Sequence, residues 1–502
     1  MAVPRPPESR RRPRRTTLIL SVALLVLVAL GAVVARSPAA GQRTQAAARR
    51  TQRAAQRTHG AAQRSRPRPR TAATTNHAVT VTLGAPGRRV PPHFLGISLE
   101  PAEIVAWSQR AAALAPLLRA LAPQGALPLR VGGESADSAF PGGFRPHANP
   151  YLQGNTFVLT PAWWQDLRRL ADRLDARVTF DVNLAAHSPG LVAAEVRQAA
   201  AALGRRLVAV EIGNEPDLYS DGFVGDDHFR RGTAGEPQWA FRFTTADYTD
   251  LVDADVRAVH SVRPGLTILG PGTMARNGGW ISDLLAQPAS VRINRVSVHA
   301  YAPYYSCRPT GSPLHPTVAG YTSQWAATAP DHGVAHDVAL AAAANVPLEV
   351  TEAGSAVCGG LAGVTTSATT ALWAPVFSLG LLSLGAARLD VHLRSALLNS
   401  AIVTTPDGVQ TEPLYRGLVL LARVLTGART LIATRGAPPR CHVWAVALAG
   451  GGVRVLAVND AAVGRRLRIR LSGARHVRTV SVAADSTALT EVPGPRRTLR
   501  GR

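Results

Sequence analysis

The chain has 502 residues, with 56 Lys+Arg against 32 Asp+Glu and a formal net charge of +24. This length allows about two to four domains of ~100–200 residues each. A hydrophobic fraction of 46% excludes a wholly disordered protein, and the 44 Gly and 37 Pro follow no collagen-like period. Three cysteines are too few for a disulfide framework and leave at least one thiol unpaired.

The basic residues are all arginine, and they concentrate near the N-terminus. Residues 1–70 hold 16 Arg and the single acid Glu8, so they carry +15 and leave +9 for the remaining 432 residues. An Arg-only, Ala-rich composition is typical of a coding bias toward G and C. The charge therefore does not predict a nucleic-acid-binding surface on the folded part, and we expect no nucleic-acid partner.

An arginine cluster, Arg10–Arg15, precedes an apolar run from Leu18 to Val34. Charge followed by an apolar stretch is typical of an export signal, and a run of 17 residues also reaches the lower limit of a membrane-spanning helix. We expect residues 1–40 to be a signal peptide or a signal anchor that places the rest outside the cell. The protein is then either secreted or, if the segment is uncleaved, held at the membrane. Residues 41–75 are rich in Arg, Ala and Gln, which predicts a disordered linker.

Between about residues 92 and 415, short apolar runs alternate with segments of helical period such as Pro161–Leu174 and Thr245–Arg257. This alternation predicts an α/β fold, a (β/α)8 TIM barrel. The eight strand-like runs are Phe94–Leu99, Leu127–Val131, Arg177–Val182, Leu207–Ile212, Leu266–Gly270, Arg295–His299, Leu348–Thr351 and Ala387–Val391.

The pattern changes again after residue 415, where short strand-like runs are separated by Gly-rich breaks. These runs predict an appended C-terminal antiparallel domain resembling a β-sandwich, built from residues 76–91 and 416–502. The runs are His77–Leu83, His442–Leu448, Val453–Asn459, Arg466–Leu471 and Val477–Val482.

Two of the predicted barrel strands end in carboxylates. The fourth run leads into Asn214-Glu215-Pro216, and the seventh contains Glu349 and leads into Glu352. In a (β/α)8 barrel both strand ends point into one mouth, where one carboxylic acid can donate a proton while the other attacks an anomeric carbon. Taken singly, the Asn-Glu-Pro triplet also fits turn chemistry, and a salt-bridged barrel carboxylate suits Glu349 better than Glu352.

With these residues in place, the chain resembles glycoside hydrolase family 79, the β-glucuronidase and heparanase-like group of retaining (β/α)8 hydrolases. The resemblance implies that Glu215 is the acid/base and Glu352 the nucleophile, with a glycoside or oligo- or polysaccharide as substrate and neither cofactor nor metal. The stretches that carry it are Gly96-Ile97-Ser98-Leu99-Glu100, Leu129-Arg130-Val131-Gly132-Gly133-Glu134-Ser135-Ala136-Asp137, Glu211-Ile212-Gly213-Asn214-Glu215-Pro216 and Glu349-Val350-Thr351-Glu352.

The same resemblance implies several substrate contacts. Asn214 would hold the sugar 2-hydroxyl, and Glu100 would contact the sugar in the terminal subsite. Gly133 would let the backbone approach the site closely, although an ordinary strand-to-helix turn explains it equally well. His299 and Tyr301, at the end of the sixth strand, match the placing of an aromatic hydroxyl beside the nucleophile.

Further residues have open assignments. Arg130 either supports the catalytic carboxylates from below or forms a structural ion pair. Glu134 stands where the family usually has Asn, and a third acid there could change the sugar preference. The family binds the substrate carboxylate with a Tyr after the eighth strand, but this chain has none there, and Arg394 or His392 could bind an acid instead. A retaining β-glycosidase acting on a neutral sugar and a non-catalytic surface glycan-binding barrel therefore remain alternatives.

Two of the cysteines follow neighbouring predicted strands. Cys307 comes after the sixth strand and Cys358 after the seventh, and adjacent strands bring their trailing loops together. We therefore predict a Cys307–Cys358 disulfide, which is consistent with export, and a buried free thiol at Cys441. The oligomeric state is not indicated by the sequence.

Overall fold

The computed structural model describes residues 74–145, 156–219, 243–395, 397–405, 407–471 and 477–492. The predicted signal or anchor at residues 1–40 lies outside the described residues, as does nearly all of the linker at 41–75. Export and membrane attachment therefore stay predictions. Among the described residues, no helix combines the length and the apolar character that crossing a membrane requires.

Strands and helices alternate through most of the described chain. The strands are β1 (Thr74–Arg89), β2 (Leu95–Leu99), β3 (Leu127–Val131), β4 (Ala139–Pro141), β5 (Phe157–Leu159), β6 (Ala176–Val182), β7 (Leu207–Ile212), β8 (Thr267–Met274), β9 (Arg295–Tyr301), β10 (Leu348–Gly354), β11 (Arg388–Leu393), β12 (Ile402–Thr405), β13 (Gly408–Thr411), β14 (Ala428–Arg435), β15 (Cys441–Leu448), β16 (Val453–Asn459), β17 (Gly464–Leu471), β18 (Val477–Val482) and β19 (Ser486–Val492). The α-helices are α1 (Ile104–Gln109), α2 (Ala111–Arg119), α3 (Pro161–Leu174), α4 (Pro189–Leu203), α5 (Thr245–Val262), α6 (Gly278–Leu285), α7 (Val318–Tyr321), α8 (Gln324–Ala327), α9 (Ala329–Gly333), α10 (Ala335–Ala343), α11 (Thr369–Leu384) and α12 (Pro413–Leu425).

Eight parallel strands close into a barrel in the order β2, β3, β6, β7, β8, β9, β10 and β11, and β11 pairs back with β2. The predicted barrel is confirmed, and each of its eight runs is a strand. Helices cover the strands on the outside, so both faces of the strands are largely buried and most strand residues are apolar. β8 and β10 continue to Met274 and Gly354, past the predicted ends.

Local capping explains why the helices begin where the sequence predicts. In α3, the Thr160 side chain accepts a hydrogen bond from the backbone N–H of Trp163, and Pro161 occupies the first turn. The helix ends at Asp175, whose φ is 50°. Trp163 and Trp164 are buried beneath the helix, so they pack the barrel rather than form a sugar platform.

The second part of the structure is a seven-stranded sheet in the order β18, β17, β1, β14, β15, β16 and β19. All strands predicted for this domain are present, whereas β14 and β19 were not predicted. The sheet is mixed rather than purely antiparallel because β1 runs parallel to β17 and antiparallel to β14. One face forms a core of its own around Val81, Ala445 and Ile469.

The opposite face of β14–β16 joins the barrel core. Leu431, Val446 and Leu456 belong to the same buried cluster as Leu418 and Leu421 of α12. The predicted domain boundary at residue 415 falls inside α12, which packs with α11 of the barrel. The division into domains at that residue stays a prediction.

Gly96 in β2 provides a test of barrel packing. A Cβ there would collide with Asp390 Oδ1 and lie 2.7 Å from Pro128 Cβ and 2.8 Å from the Pro128 carbonyl oxygen. We expect Gly96→Ala to lower the free energy of unfolding, measured by urea denaturation, by about 1–3 kcal/mol.

Gly279→Ala in α6 is the matched control, because a Cβ at that position meets no atom within 4 Å. We expect it to be neutral or to stabilise by ~0.4–1 kcal/mol. Equal effects of the two substitutions would contradict the packing described for Gly96.

Candidate active site

The guanidinium of Arg130 in β3 is buried at the centre of the barrel. It donates hydrogen bonds to Glu211 Oε2 at 2.5 Å, Asp181 Oδ2 at 3.1 Å and Glu352 Oε2 at 2.9 Å. It also donates to Asn214 Oδ1 at 3.0 Å. Burial alone would lower the pKa of Arg130, but the surrounding carboxylates raise it, so this side chain is a fixed positive charge.

Glu352 ends the apolar part of β10 and faces the mouth, which we define as the C-terminal end of the eight barrel strands. Tyr301 donates its hydroxyl proton to Glu352 Oε1 at 2.5 Å. Burial would raise the pKa of Glu352, but the positive charges of His392, His299 and Arg130 and this hydrogen bond outweigh burial and lower the pKa to about 2. The carboxylate is therefore ionised across the physiological range.

Glu215 occupies a strained turn directly after β7. Its φ and ψ are 45° and 49°, and its backbone N–H donates to the Gly272 carbonyl at 3.0 Å. His299 Nδ1 lies 2.8 Å from Glu215 Oε1. One carboxylate oxygen of Glu215 lies within 4.8 Å of one of Glu352, so β7 and β10 bring the two predicted catalytic residues together.

The same three side chains, Glu215, His299 and Glu352, have donor atoms close enough to hold a metal ion. The Arg130 guanidinium lies 2.9 Å from Glu352 and already supplies a positive charge there. A second cation at this point would be repelled by the first, so the arrangement favours a carboxylate pair over a metal centre.

Glu100 lies beside this pair, at the end of β2. The backbone N–H of Ser135 donates to Glu100 Oε2 at 2.8 Å, and the Ser135 hydroxyl donates to the same oxygen at 2.5 Å. A Cβ on Gly133 would lie 2.7 Å from the Glu100 carboxyl carbon, which explains why glycine, with a φ of 124°, stands there. Burial would raise the pKa of Glu100, but His392, Arg394 and Ser135 lower it.

Arg394 and Glu134 form an ion pair at the outer edge of the mouth. Arg394 Nη1 lies 3.0 Å from Glu134 Oε2 and 3.7 Å from Glu100 Oε1. His392 lies deeper, with its ring nitrogens 3.6 Å from Glu100 and 3.6 Å from Glu352. Burial would lower the pKa of His392, but these two carboxylates raise it.

The geometry therefore gathers all nine side chains and backbone positions predicted for catalysis or substrate binding around one mouth. The sequence-based reasoning missed Ser98, Asp181 and Glu211, which surround Arg130. Their signal was present, because each is a polar residue inside an apolar strand run, and a buried carboxylate requires a partner.

The predicted disulfide is confirmed. Cys307 and Cys358 are bonded with their Cα atoms 5.7 Å apart, and they join the loops after β9 and β10. The Ser306 hydroxyl also donates to the Cys358 carbonyl at 2.6 Å. Cys441 is free and buried, as predicted, and its burial raises the pKa of the thiol to about 11.

No family model and no curated protein sequence matches this chain. Solved structures do match. A 4-O-α-L-rhamnosyl-β-D-glucuronidase from Fusarium oxysporum 12S, in complex with Rha-GlcA, gives a TM-score of 0.58 at 16% identity over 83% of this chain and 98% of that one. A family 51 arabinofuranosidase from Xanthomonas axonopodis pv. citri gives 0.58 at 15% identity over 83% and 98%. The catalytic domain of a family 30 xylanase C from Talaromyces cellulolyticus gives 0.50 at 13% identity over 82% and 99%.

The chain has the (β/α)8 fold of the clan GH-A glycoside hydrolases. At these identities the likeness is one of fold, and neither the sugar nor the catalytic residues follow from it. The predicted resemblance is thus confirmed for the (β/α)8 fold alone.

Arg130 offers a test of the centre of the site. Replacing it by Met leaves Asp181, Glu211 and Glu352 near one another without their shared cation. We expect Arg130→Met to lower the free energy of unfolding in urea by about 3–5 kcal/mol, because uncompensated buried charges are costly.

Arg168→Met is the matched control, because Arg168 pairs with Asp172 at 2.8 Å where both side chains are exposed. Its expected effect is at most ~1 kcal/mol. A loss for Arg130→Met as small as that of the control would contradict the central role assigned to this guanidinium.

Proposed function

We propose that the chain is a retaining β-glycoside hydrolase that works by double displacement. The observation that carries the proposal is the pair Glu215 and Glu352, with carboxylate oxygens within 4.8 Å at the mouth of the barrel. A short carboxylate separation, about 5–5.5 Å between carboxyl groups, is typical of retaining enzymes, whereas inverting enzymes leave room for a water molecule between the two.

Glu352 is the better candidate for the nucleophile. Its lowered pKa keeps it ionised, while Arg130 and Tyr301 each hold one of its two oxygens. In the first step, an oxygen of Glu352 would attack the anomeric carbon and form a covalent glycosyl ester as the bond to the leaving group breaks. Glu215 would give its proton to the leaving oxygen.

In the second step, Glu215 would take a proton from water, and that water would displace Glu352 from the anomeric carbon. His299 supports this exchange because its Nδ1 lies 2.8 Å from Glu215 and fixes the carboxyl group's orientation. Asn214, whose Oδ1 accepts a hydrogen bond from Arg130, would bind the 2-hydroxyl of the sugar. Neither step requires a cofactor.

The sugar is a separate question. The family 79 resemblance implies a β-glucuronide or heparanase-like substrate, and one structural neighbour is described as a glucuronidase. A neutral sugar is the second candidate, because no Tyr follows β11 at the position from which the family holds a carboxylate. A non-catalytic glycan-binding barrel is less well supported, since binding alone requires neither an ionised Glu352 nor its partner Glu215.

Substitution of the two carboxylates tests the mechanism. On a panel of aryl β-glycosides, we expect Glu215→Gln to lower kcat/KM by ~10²–10⁴-fold and Glu352→Gln by at least as much. The Glu215→Gln loss should shrink for dinitrophenyl leaving groups, because they depart without a proton. NMR should detect the β-anomer as the first product.

Glu491→Gln is the matched control, because Glu491 pairs with Arg454 in the seven-stranded sheet, outside the mouth. It should keep wild-type rates. Unchanged turnover in both active-site variants, or an α-anomer as first product, would overturn the mechanism.

A further inference from the structure

Charged side chains alternate in sign from the centre of the site to its outer edge. We call this row the charge ladder, and its members in order are Glu352, His392, Glu100, Arg394 and Glu134. Successive members are 3.6, 3.6, 3.7 and 3.0 Å apart. The ladder begins and ends on a carboxylate, so it holds three carboxylates and two cationic side chains.

Arg394 is the member of the ladder that could meet a substrate carboxylate. Its side chain is 37% exposed, whereas the His392 side chain is 8% exposed. Three carboxylates act on the Arg394 charge, those of Glu100, Glu134 and Glu103. Its positive charge is therefore more than balanced before any ligand arrives.

The two other cationic side chains in the described part of the site, Arg130 and His299, are also paired with carboxylates. Arg130 contacts Glu352, Glu211 and Asp181, while His299 Nδ1 lies 2.8 Å from Glu215 and 4.0 Å from Glu352. Among the described residues, each cation that contacts Glu100, Glu215 or Glu352 has at least two carboxylate neighbours. A uronic acid would add another negative charge to this group without a free cation to pair with.

The Glu134–Arg394 pair is held in place by its surroundings. Gly133 and Ser135, on either side of Glu134, both lie against Glu100, and Ser135 donates two hydrogen bonds to it. On the other side, the Arg394 backbone N–H donates to the Ser400 hydroxyl at 3.2 Å. The backbone that carries each partner is therefore anchored, which sets where the two partly exposed side chains can meet.

We propose that Glu134 determines the substrate class by neutralising Arg394, so that the subsite takes a sugar without a carboxylate. This inference rests on the proposed glycosidase function and decides between its two candidate sugars. The paired groups still serve a neutral sugar, because the carboxylate accepts and the guanidinium donates hydrogen bonds to hydroxyl groups. A carboxylate on the sugar would have to share the Arg394 charge with Glu134 and Glu100.

Glu134→Gln tests this assignment, because it keeps the shape of the side chain and removes its charge. We expect wild-type protein to prefer aryl β-glucoside, β-galactoside or β-xyloside over aryl β-glucuronide. In Glu134→Gln, the ratio of kcat/KM for the glucuronide to that for the best neutral glycoside should rise at least tenfold, chiefly through KM. The double variant Glu134→Gln/Arg394→Gln should lose this gain.

The control is Glu491→Gln, which removes a carboxylate from another Arg–Glu pair and should leave the ratio unchanged. A wild-type preference for the glucuronide would overturn the inference while leaving the hydrolase mechanism intact. A gain that persists in the double variant, or no gain at all in a folded Glu134→Gln, would also overturn it.

A binding measurement makes the inference independent of turnover. Ligand-detected NMR with free glucuronic acid and free glucose should show weaker binding of the acid to wild-type protein and a relative gain for the acid in Glu134→Gln. If no glycoside is hydrolysed but this pattern appears, the proposed mechanism fails and the inference about charge stands. Preferential binding of the acid by wild-type protein would refute it.

Discussion

The buried guanidinium of Arg130 is the interaction on which the rest of the site depends. A charge in the middle of a barrel is costly unless several acceptors surround it. Here the acceptors come from β2, β6, β7 and β10, so one side chain ties together strands that are far apart in sequence. The same contacts that compensate the charge also orient Asn214 and Glu352. Stability of the barrel and alignment of the candidate catalytic groups therefore have a common physical origin.

Two carboxylates that lie close together can differ in chemistry only if their surroundings differ. Glu352 receives positive charge from Arg130, His392 and His299, together with the Tyr301 hydroxyl, and its pKa falls to about 2. Glu215 is more exposed and has His299 as its close partner. Its backbone also leaves the strand through a left-handed turn, which points the residue across the mouth rather than along β7. The surroundings of the two carboxylates therefore differ, as the proposed division of roles between them requires.

The sequence predicted most of the barrel because parallel strands buried on both faces are continuous apolar runs, and all eight were recognisable. In the seven-stranded sheet, the sequence analysis missed β14 and β19, where small and polar residues interrupt the apolar pattern. Among the site residues, those at strand ends were predicted, since that position carries function in this fold. Asp181 and Glu211 were missed because they lie within the runs, where their partner Arg130 is evident only in three dimensions. The pairing of Arg394 with Glu134 joins residues 260 positions apart, and local sequence contains no signal for such a distant contact.

The whole chain has a net positive charge, whereas acids outnumber cations among the described side chains of the site. A net charge of +24 would suggest an affinity for anionic substrates, but 15 of those charges belong to residues 1–70. Among the described residues at the mouth, in contrast, arginines and histidines alternate with a larger number of carboxylates, and each described cation in contact with the central acids has at least two carboxylate neighbours. The potential that a substrate meets is set mainly by groups within a Debye length, about 8 Å at physiological ionic strength, so the net charge of the whole chain does not describe it. Under the proposed function, the sugar preference would follow from the few charged side chains around Glu100 and Arg394, and the composition of the chain does not predict it.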